Sequence, residues 1–259
     1  MVIREAKSSD KPHILKFCKN TFSWGDYIKE VWDYWLTEGN LLVIEKNIPI
    51  GICHGVFSQN QLWIEGIRIN SEFRRQGLAS NLIMHLESLA IQKKIPTSLM
   101  LIDTENSLSL LMAQNLDYKT YQTWNFYSLL PHENNSHEIS FGNAIQVDKF
   151  PHYVKSWRWL PLTNQTLDSL NSKNHIVYSK KEINQAIAIL EDSEHFEKTL
   201  IVTLFSGSRT NTMNIISFLQ NFGVEKKYKR IQILTKEILP EFSNLEHRIS
   251  FHLMQKLLS

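Results

Sequence analysis

Between Leu62 and Ala90 the apolar pattern changes period, and a basic, glycine-containing turn sits at the change. Leu62–Ile69 reads as a strand. Leu78, Leu82, Ile83, Leu86, Leu89 and Ala90 then recur at helical spacing and make the apolar stripe of a helix. The join is Arg74-Arg75-Gln76-Gly77-Leu78-Ala79-Ser80. The first N–H groups of a helix have no acceptor within it, and the helix dipole adds partial positive charge there. Gly77 lets backbone approach a ligand closely, Ala79 keeps the following turn narrow, and Arg74 and Arg75 bring two full charges. Such a turn suits a pyrophosphate.

Around this join the chain alternates strands and helices. Met1–Ala6 reads as a short edge strand. Ser8-Ser9-Asp10 offers a helix N-cap with Pro12 in the first turn, and a second helical stretch over Tyr27–Leu36 stops near Gly39. Leu41–Glu45 and Ile50–Val56 read as strands separated by Asn47-Ile48-Pro49. Beyond the long helix come a strand at Ser98–Ile102, a short helix over Ser107–Gln114, and two aromatic strands at Tyr118–Tyr121 and Trp124–Leu129. This order predicts a mixed sheet flanked by helices, an α/β (α+β mixed) fold, over residues 1–130. Pro131–Ser140 breaks the periodicity and is expected to separate it from a second domain, 140–259. There Thr199–Phe205, Thr212–Phe222 and Arg230–Lys236 read as strand, helix and strand, the layout found around the first turn. The second turn, Ser206-Gly207-Ser208-Arg209-Thr210, lacks the Gly-x-Ala element, so one cofactor site per chain is expected. Phe150, Trp157 and Trp159 are more apolar surface than a free linker carries and suggest docking onto the first domain.

Composition removes several classes. With 28 Lys and Arg against 26 Asp and Glu in 259 residues, the net charge of +2 gives little reason to propose a nucleic-acid partner. The only cysteines, Cys18 and Cys53, make no disulfide framework and suggest a reducing, cytoplasmic setting. No apolar run approaches the ~20 residues of a membrane span, so no membrane partner is expected. Ten histidines form neither His-Glu-x-x-His nor a Cys/His quartet, so no metal is expected.

Arg74, Gly77 and Ala79, set between a strand and a helix, resemble the acetyl-CoA signature of the GCN5-related N-acetyltransferase (GNAT) superfamily: Arg or Gln, two variable residues, Gly, one variable residue, Gly or Ala. The resemblance covers roughly Met1–Leu130 and implies the GNAT fold, with residues 140–259 as a diverged GNAT-like unit. It implies acetyl-CoA as co-substrate, held by Arg74, Arg75, Gln76, Gly77, Leu78, Ala79 and Ser80. It further implies that the strand before the turn splays from the next, so that the backbone of Ile67, Arg68 and Ile69 pairs with the pantetheine arm. Asn106 stands where family members commonly contact the cofactor. The first two helices border the acceptor site in this superfamily, which makes Trp24 and Tyr27 candidates for substrate contact; packing of helices on the sheet is the alternative.

The chemistry needs a deprotonated amine. Glu65, two residues before Ile67, lies where many family members keep a carboxylate that takes up the amine proton; its alternative is an ion pair with Arg68. His54 on the preceding strand is the second candidate base, or a hydrogen-bonded structural histidine. The sequence departs from the family at the usual acid: Ala113 stands seven residues after Asn106, where many members have Tyr, leaving Tyr118 or Ser109 as distant donors, or departure of the thiolate with solvent help. The expected activity is N-acetylation of a primary amine by direct attack, with a small molecule such as an amino acid as acceptor. A non-catalytic acyl-CoA-binding or regulatory module is the alternative that Ala113 motivates.

Overall fold

The computed structural model describes residues 1–19, 21, 25–58, 60–134, 139–142 and 150–259. The chain divides into two compact units, Met1–Tyr121 with His252–Ser259, and Gln122–Phe251. The division falls inside a strand rather than in the Pro131–Ser140 segment.

In the first unit the strands are β1 (Val2–Glu5), β2 (Leu41–Lys46), β3 (Ile48–Phe57), β4 (Leu62–Ile69) and β5 (Thr97–Asp103), and the helices are α1 (Lys11–Cys18), α2 (Ile28–Glu38), α3 (Leu78–Gln92) and α4 (Ser107–Asn115). Sheet order follows chain order: β1–β2, β2–β3 and β3–β4 are antiparallel and β4–β5 is parallel. The apolar run of β2 is buried on both faces by alternation. Leu42 and Ile44 join Leu78, Leu82, Ile83 and Leu86 of α3 in one core, while Leu41 and Val43 join Ile14 of α1 and Trp32 and Trp35 of α2 in another. Helices therefore cover both sides of this sheet.

Two aromatic strands were expected near 118–129, but β6 is a single strand, Lys119–Leu129. Gln122 and Thr123 offer no turn chemistry, and Thr suits a strand, so pairing runs straight through them. The last strand, β14 (Leu245–Leu257), also passes from one unit into the other, ending in the first. There Met254 enters the α3 core and the Leu258 N–H donates to the Pro96 carbonyl at 2.8 Å.

The second unit adds β7 (Ser140–Phe141), β8 (His152–Lys155), β9 (Arg158–Pro161), α5 (Asn164–Ser172), β10 (Ile176–Ser179), β11 (Ala186–Asp192), β12 (Thr199–Phe205), α6 (Arg209–Glu225) and β13 (Arg230–Thr235). Its order is β7-β10-β11-β12-β13-β6, with three antiparallel ladders followed by the parallel β12–β13 ladder. This is the ladder series of β1 through β5, with α6 in the place of α3. The second unit thus repeats the strand topology of the first.

The aromatics read as docking surface have partners within their own unit. Trp159 is fully buried and meets Trp124 edge-on at 5.4 Å, Trp157 packs on Phe126 and Phe251, and Phe150 lies 4.1 Å from Phe205. Among the described residues no helix is long and apolar enough to cross a membrane.

Candidate active site

Two irregularities in β4 set the geometry. The antiparallel register with β3 shifts between Ile52↔Arg68 and His54↔Glu65, so Gly66 and Ile67 together oppose the single residue Cys53. This is a β-bulge, and Gly66 adopts φ +65° within it. A Cβ there would stand 2.4 Å from Cζ3 of Trp35, so both the backbone angle and the indole require glycine. On its other edge, β4 pairs with β5 only through Leu62↔Ser98, Trp63↔Leu99 and Ile64↔Met100. Both strands continue for several residues beyond that ladder, so they separate where Glu65–Ile69 begin.

The turn before α3 lies just beyond. Gly77 is the N-cap with φ +74°, no side chain caps the helix, and nothing lies within 4 Å of the position a Cβ would take. Arg75 is also left-handed at φ +61°. Arg74, Arg75, Gln76 and Gly77 are exposed, Ala79 and Ser80 half-buried, and Leu78 is turned into the core. The Arg74 Nε donates to the Ile69 carbonyl at 3.1 Å, tying the turn to the end of β4. The first amides of α3 thus open onto space next to two guanidinium groups, which fits a pyrophosphate.

Glu65 and His54 are a directly opposed cross-strand pair. The Glu65 Oε1 lies 2.9 Å from the His54 Nδ1, and Oε2 accepts from the Trp63 indole N–H at 3.0 Å. His54 is completely buried, whereas the Glu65 side chain retains 14% exposure. Of the two candidates, only the carboxylate keeps a surface through which a substrate can reach it. Arg68 donates from Nε to Asp26 at 2.7 Å and lies over the Tyr27 ring at 5.2 Å. Burial pushes the Tyr27 phenol above its usual range. Tyr27 also meets Trp35 edge-on, so its ring is part of the packing beside the bulge. Trp24 lies outside the described residues.

At the other end of β5, Asn106 is exposed and caps α4, its Oδ1 accepting from the Ser109 N–H at 3.1 Å. Ala113 is fully buried, with core on all sides where a phenol was considered. Tyr118 is held inside by Ser98 Oγ at 2.5 Å and Glu87 Oε1 at 2.8 Å; burial first, then the Glu87 charge, drives its pKa far up. That enclosure removes it from acid duty. Both thiols are buried and free, and burial pushes Cys18 up to about 12, so neither is an activated nucleophile.

The equivalent turn of the second unit is closed. The Gly207 N–H donates to Thr212 Oγ1, the Ser208 N–H to the Asn184 carbonyl, and the Ser208 hydroxyl caps Asn211. A cavity of about 280 Å³ lined by Ser206, Gly207, Arg209, Thr212 and Ile238–Pro240 opens beside it, but these amides are already spent on the fold. The parallel ladder there runs from Thr199↔Arg230 to Thr203↔Leu234, five pairs against three between β4 and β5.

Sequence reading missed Asp26, Trp35, Glu38 and Trp63 as site partners. The available signal was Gly66, a lone glycine within a strand pattern, which marks a bulge.

Residues 9–116 match the model described as the acetyltransferase (GNAT) family. No curated protein matches the sequence. Among solved structures, a candidate acetyltransferase from Thermoplasma acidophilum is similar at TM-score 0.66 and 12% identity, over 99% of this chain and all of that one. A GCN5-related N-acetyltransferase from Sphaerobacter thermophilus gives TM-score 0.64 at 12% identity, over 99% and 95% of the two chains. A candidate acetyltransferase from Pyrococcus horikoshii gives 0.58 at 14%, over 99% and 89%. At such identities these likenesses speak for the fold alone.

Proposed function

We propose that this chain, whose residues 9–116 match the acetyltransferase (GNAT) family, moves an acetyl group from acetyl-CoA to a primary amine of a small molecule, with Glu65 as the base. The observation that carries this reading is the open turn at Gly77 directly beyond the point where β4 and β5 part. Arg74, Arg75 and the amides from Gly77 to Ser80 would hold the pyrophosphate. The freed edge of Ile67, Arg68 and Ile69 would take the pantetheine arm, and Asn106 flanks it on α4. Acetyl-CoA brings an activated thioester; the chain's part is to place it and to manage protons.

Direct attack forms a C–N bond and breaks the C–S bond. Two protons leave an ammonium substrate: one ends on the CoA sulfur and the other reaches solvent through the base. Glu65 sits at the bulge with one edge exposed and accepts the first proton, directly or through water. Neither Tyr118 nor residue 113 can protonate the sulfur, so that proton would come from Ser109 or from solvent. The two buried thiols fit a reducing, cytoplasmic setting.

The test is thiol release from acetyl-CoA across a panel of amino acids and other small amines. Amine-dependent release supports the transfer; release that ignores the amine overturns it and favours a binding module. For the turn itself, Gly77→Val adds a branched side chain where the pyrophosphate would approach. Calorimetry should show CoA affinity lost while the thermal transition persists, and unchanged affinity would remove the site from this turn.

A further inference from the structure

The bulge at Gly66 also changes which face of the sheet each later residue of β4 serves. Ahead of it Leu62 and Ile64 join the α3 core, and beyond it Ile67 and Ile69 pack there. Alternation without the extra residue would send Arg68 into that core. Instead Arg68 follows Trp63 and Glu65 on the opposite face, and the start of α2 fixes its guanidinium. Nε donates to Asp26 Oδ2 at 2.7 Å and Nη2 to Asp26 Oδ1 at 3.3 Å, while Nη1 donates to the Ile67 carbonyl at 3.0 Å. Both side chains are largely withdrawn from solvent, at 12% exposure for Arg68 and 3% for Asp26. Asp26 Oδ1 also accepts from the Ile28 N–H at 3.1 Å, so the carboxylate is anchored from the helix side as well.

These charges share a small region with the base. Burial raises the pKa of the Tyr27 phenol, the Arg68 charge lowers it, and Glu65 and then Asp26 raise it further, so all three fields reach one hydroxyl. Tyr27 meets Trp35 edge-on, and Trp35 stacks on His54, the cross-strand partner of Glu65, with centroids 4.6 Å apart. The Glu38 carboxylate stands 3.6 Å from Nε2 of the same histidine. An arginine always carries its charge. In an enclosed region opposite charges attract strongly, so an unbalanced guanidinium on the face of Glu65 would draw that carboxylate to itself. A carboxylate held by a guanidinium is a weaker proton acceptor and has less attraction left for an ammonium.

We propose that Asp26 is a positioning residue: by holding Arg68 in a two-point fork it keeps that cation from neutralising Glu65, so the approach to the base stays anionic and receives an amine arriving as its ammonium. This rests on Glu65 as the base. The bulge supplies the geometry, because it brings Arg68 to the face where Asp26 can take it up.

Thiol release with the best amine of the panel reads this role, together with CoA calorimetry and the thermal transition of each variant. Asp26→Asn keeps the shape and an oxygen for the Ile28 N–H but removes the charge that balances Arg68. Its kcat/KM for the amine should fall by roughly 10- to 100-fold, with CoA affinity unchanged. Asp26→Asn combined with Arg68→Met leaves neither charge behind and does not alter the main chain at residue 68. That double variant should recover to within about threefold of wild type, the reverse of what further loss of packing would give. It carries the test even where the single variant fails to fold. A double variant no better than Asp26→Asn makes the pair a brace for the fold and overturns the role. A fall in CoA affinity in either variant moves the effect to the cofactor and overturns it too. Placed on Glu65→Gln, Asp26→Asn should lower the residual rate no further, because no carboxylate remains to be neutralised. Full turnover by Glu65→Gln strikes the base and this role with it, whereas normal kinetics in Asp26→Asn strike this role alone.

Discussion

Gly66 holds a backbone angle and a clearance that no other residue combines, which gives it a cost that can be measured. Gly66→Ala places a methyl against the Trp35 ring and forces a left-handed alanine, and should destabilise the first unit by about 2–5 kcal/mol in denaturant unfolding. Glu65→Gln is the opposite kind of change, since an amide keeps the volume and most of the hydrogen bonding. It should lower turnover ~100- to 10,000-fold while leaving CoA affinity intact. Wild-type turnover would place the base elsewhere. Asp10 reports on pH. Burial alone would raise its pKa, but the Arg4 guanidinium at 2.8 Å and the Lys7 N–H outweigh that and hold the carboxyl below its ordinary value. Its stabilisation is therefore complete above the unfolded-state value of about 3.9 and is lost as pH falls through the depressed one. The gap in melting temperature between wild type and Asp10→Asn should be constant near neutrality and close on acidification.

At the scale of elements, long periodic segments are legible and pairings are not. β4 and β12 read from their strand-length apolar runs and α3 from the 3.6 repeat, because these elements are largely buried, β12 along its whole length. β6 reads as two strands because nothing in Gln122-Thr123 announces whether a partner lies alongside. β14 escapes notice because its burial is mostly partial and its neighbours lie far away in sequence. The cofactor turn is legible because its chemistry is local: glycine, two arginines and a helix start. The Glu65–His54–Trp35 stack is not, because it joins α2, β3 and β4 and depends on a one-residue register shift. One pairing invites a test. Lys256 of β14 donates to Glu87 of α3 at 2.7 Å, and Glu87 is only 5% exposed. Lys256→Met should leave that carboxylate without its cation and cost ~1–3 kcal/mol, read as a lowered denaturant midpoint.

Among the described residues, one ladder series occurs twice while the ligand-ready irregularities occur once. Parted strands and an open glycine turn belong to the first unit, and a longer ladder with engaged amides to the second. Titration calorimetry should accordingly count one CoA per chain. Two would mean that the second turn reopens, breaking the Gly207–Thr212 and Ser208–Asn184 bonds. The share of β14 that lies in the first unit bears on biosynthesis. On a ribosome, everything from Met1 to Tyr121 emerges long before His252, because all of Gln122–Phe251 must be translated in between. A nascent chain carrying only the first stretch has the glycine turn, the bulge and the histidine, yet lacks Met254 for its core and Lys256 for Glu87. The unit that bears the chemistry thus begins first and is completed late, so arrested chains that stop short of His252 should be digested where released ones resist.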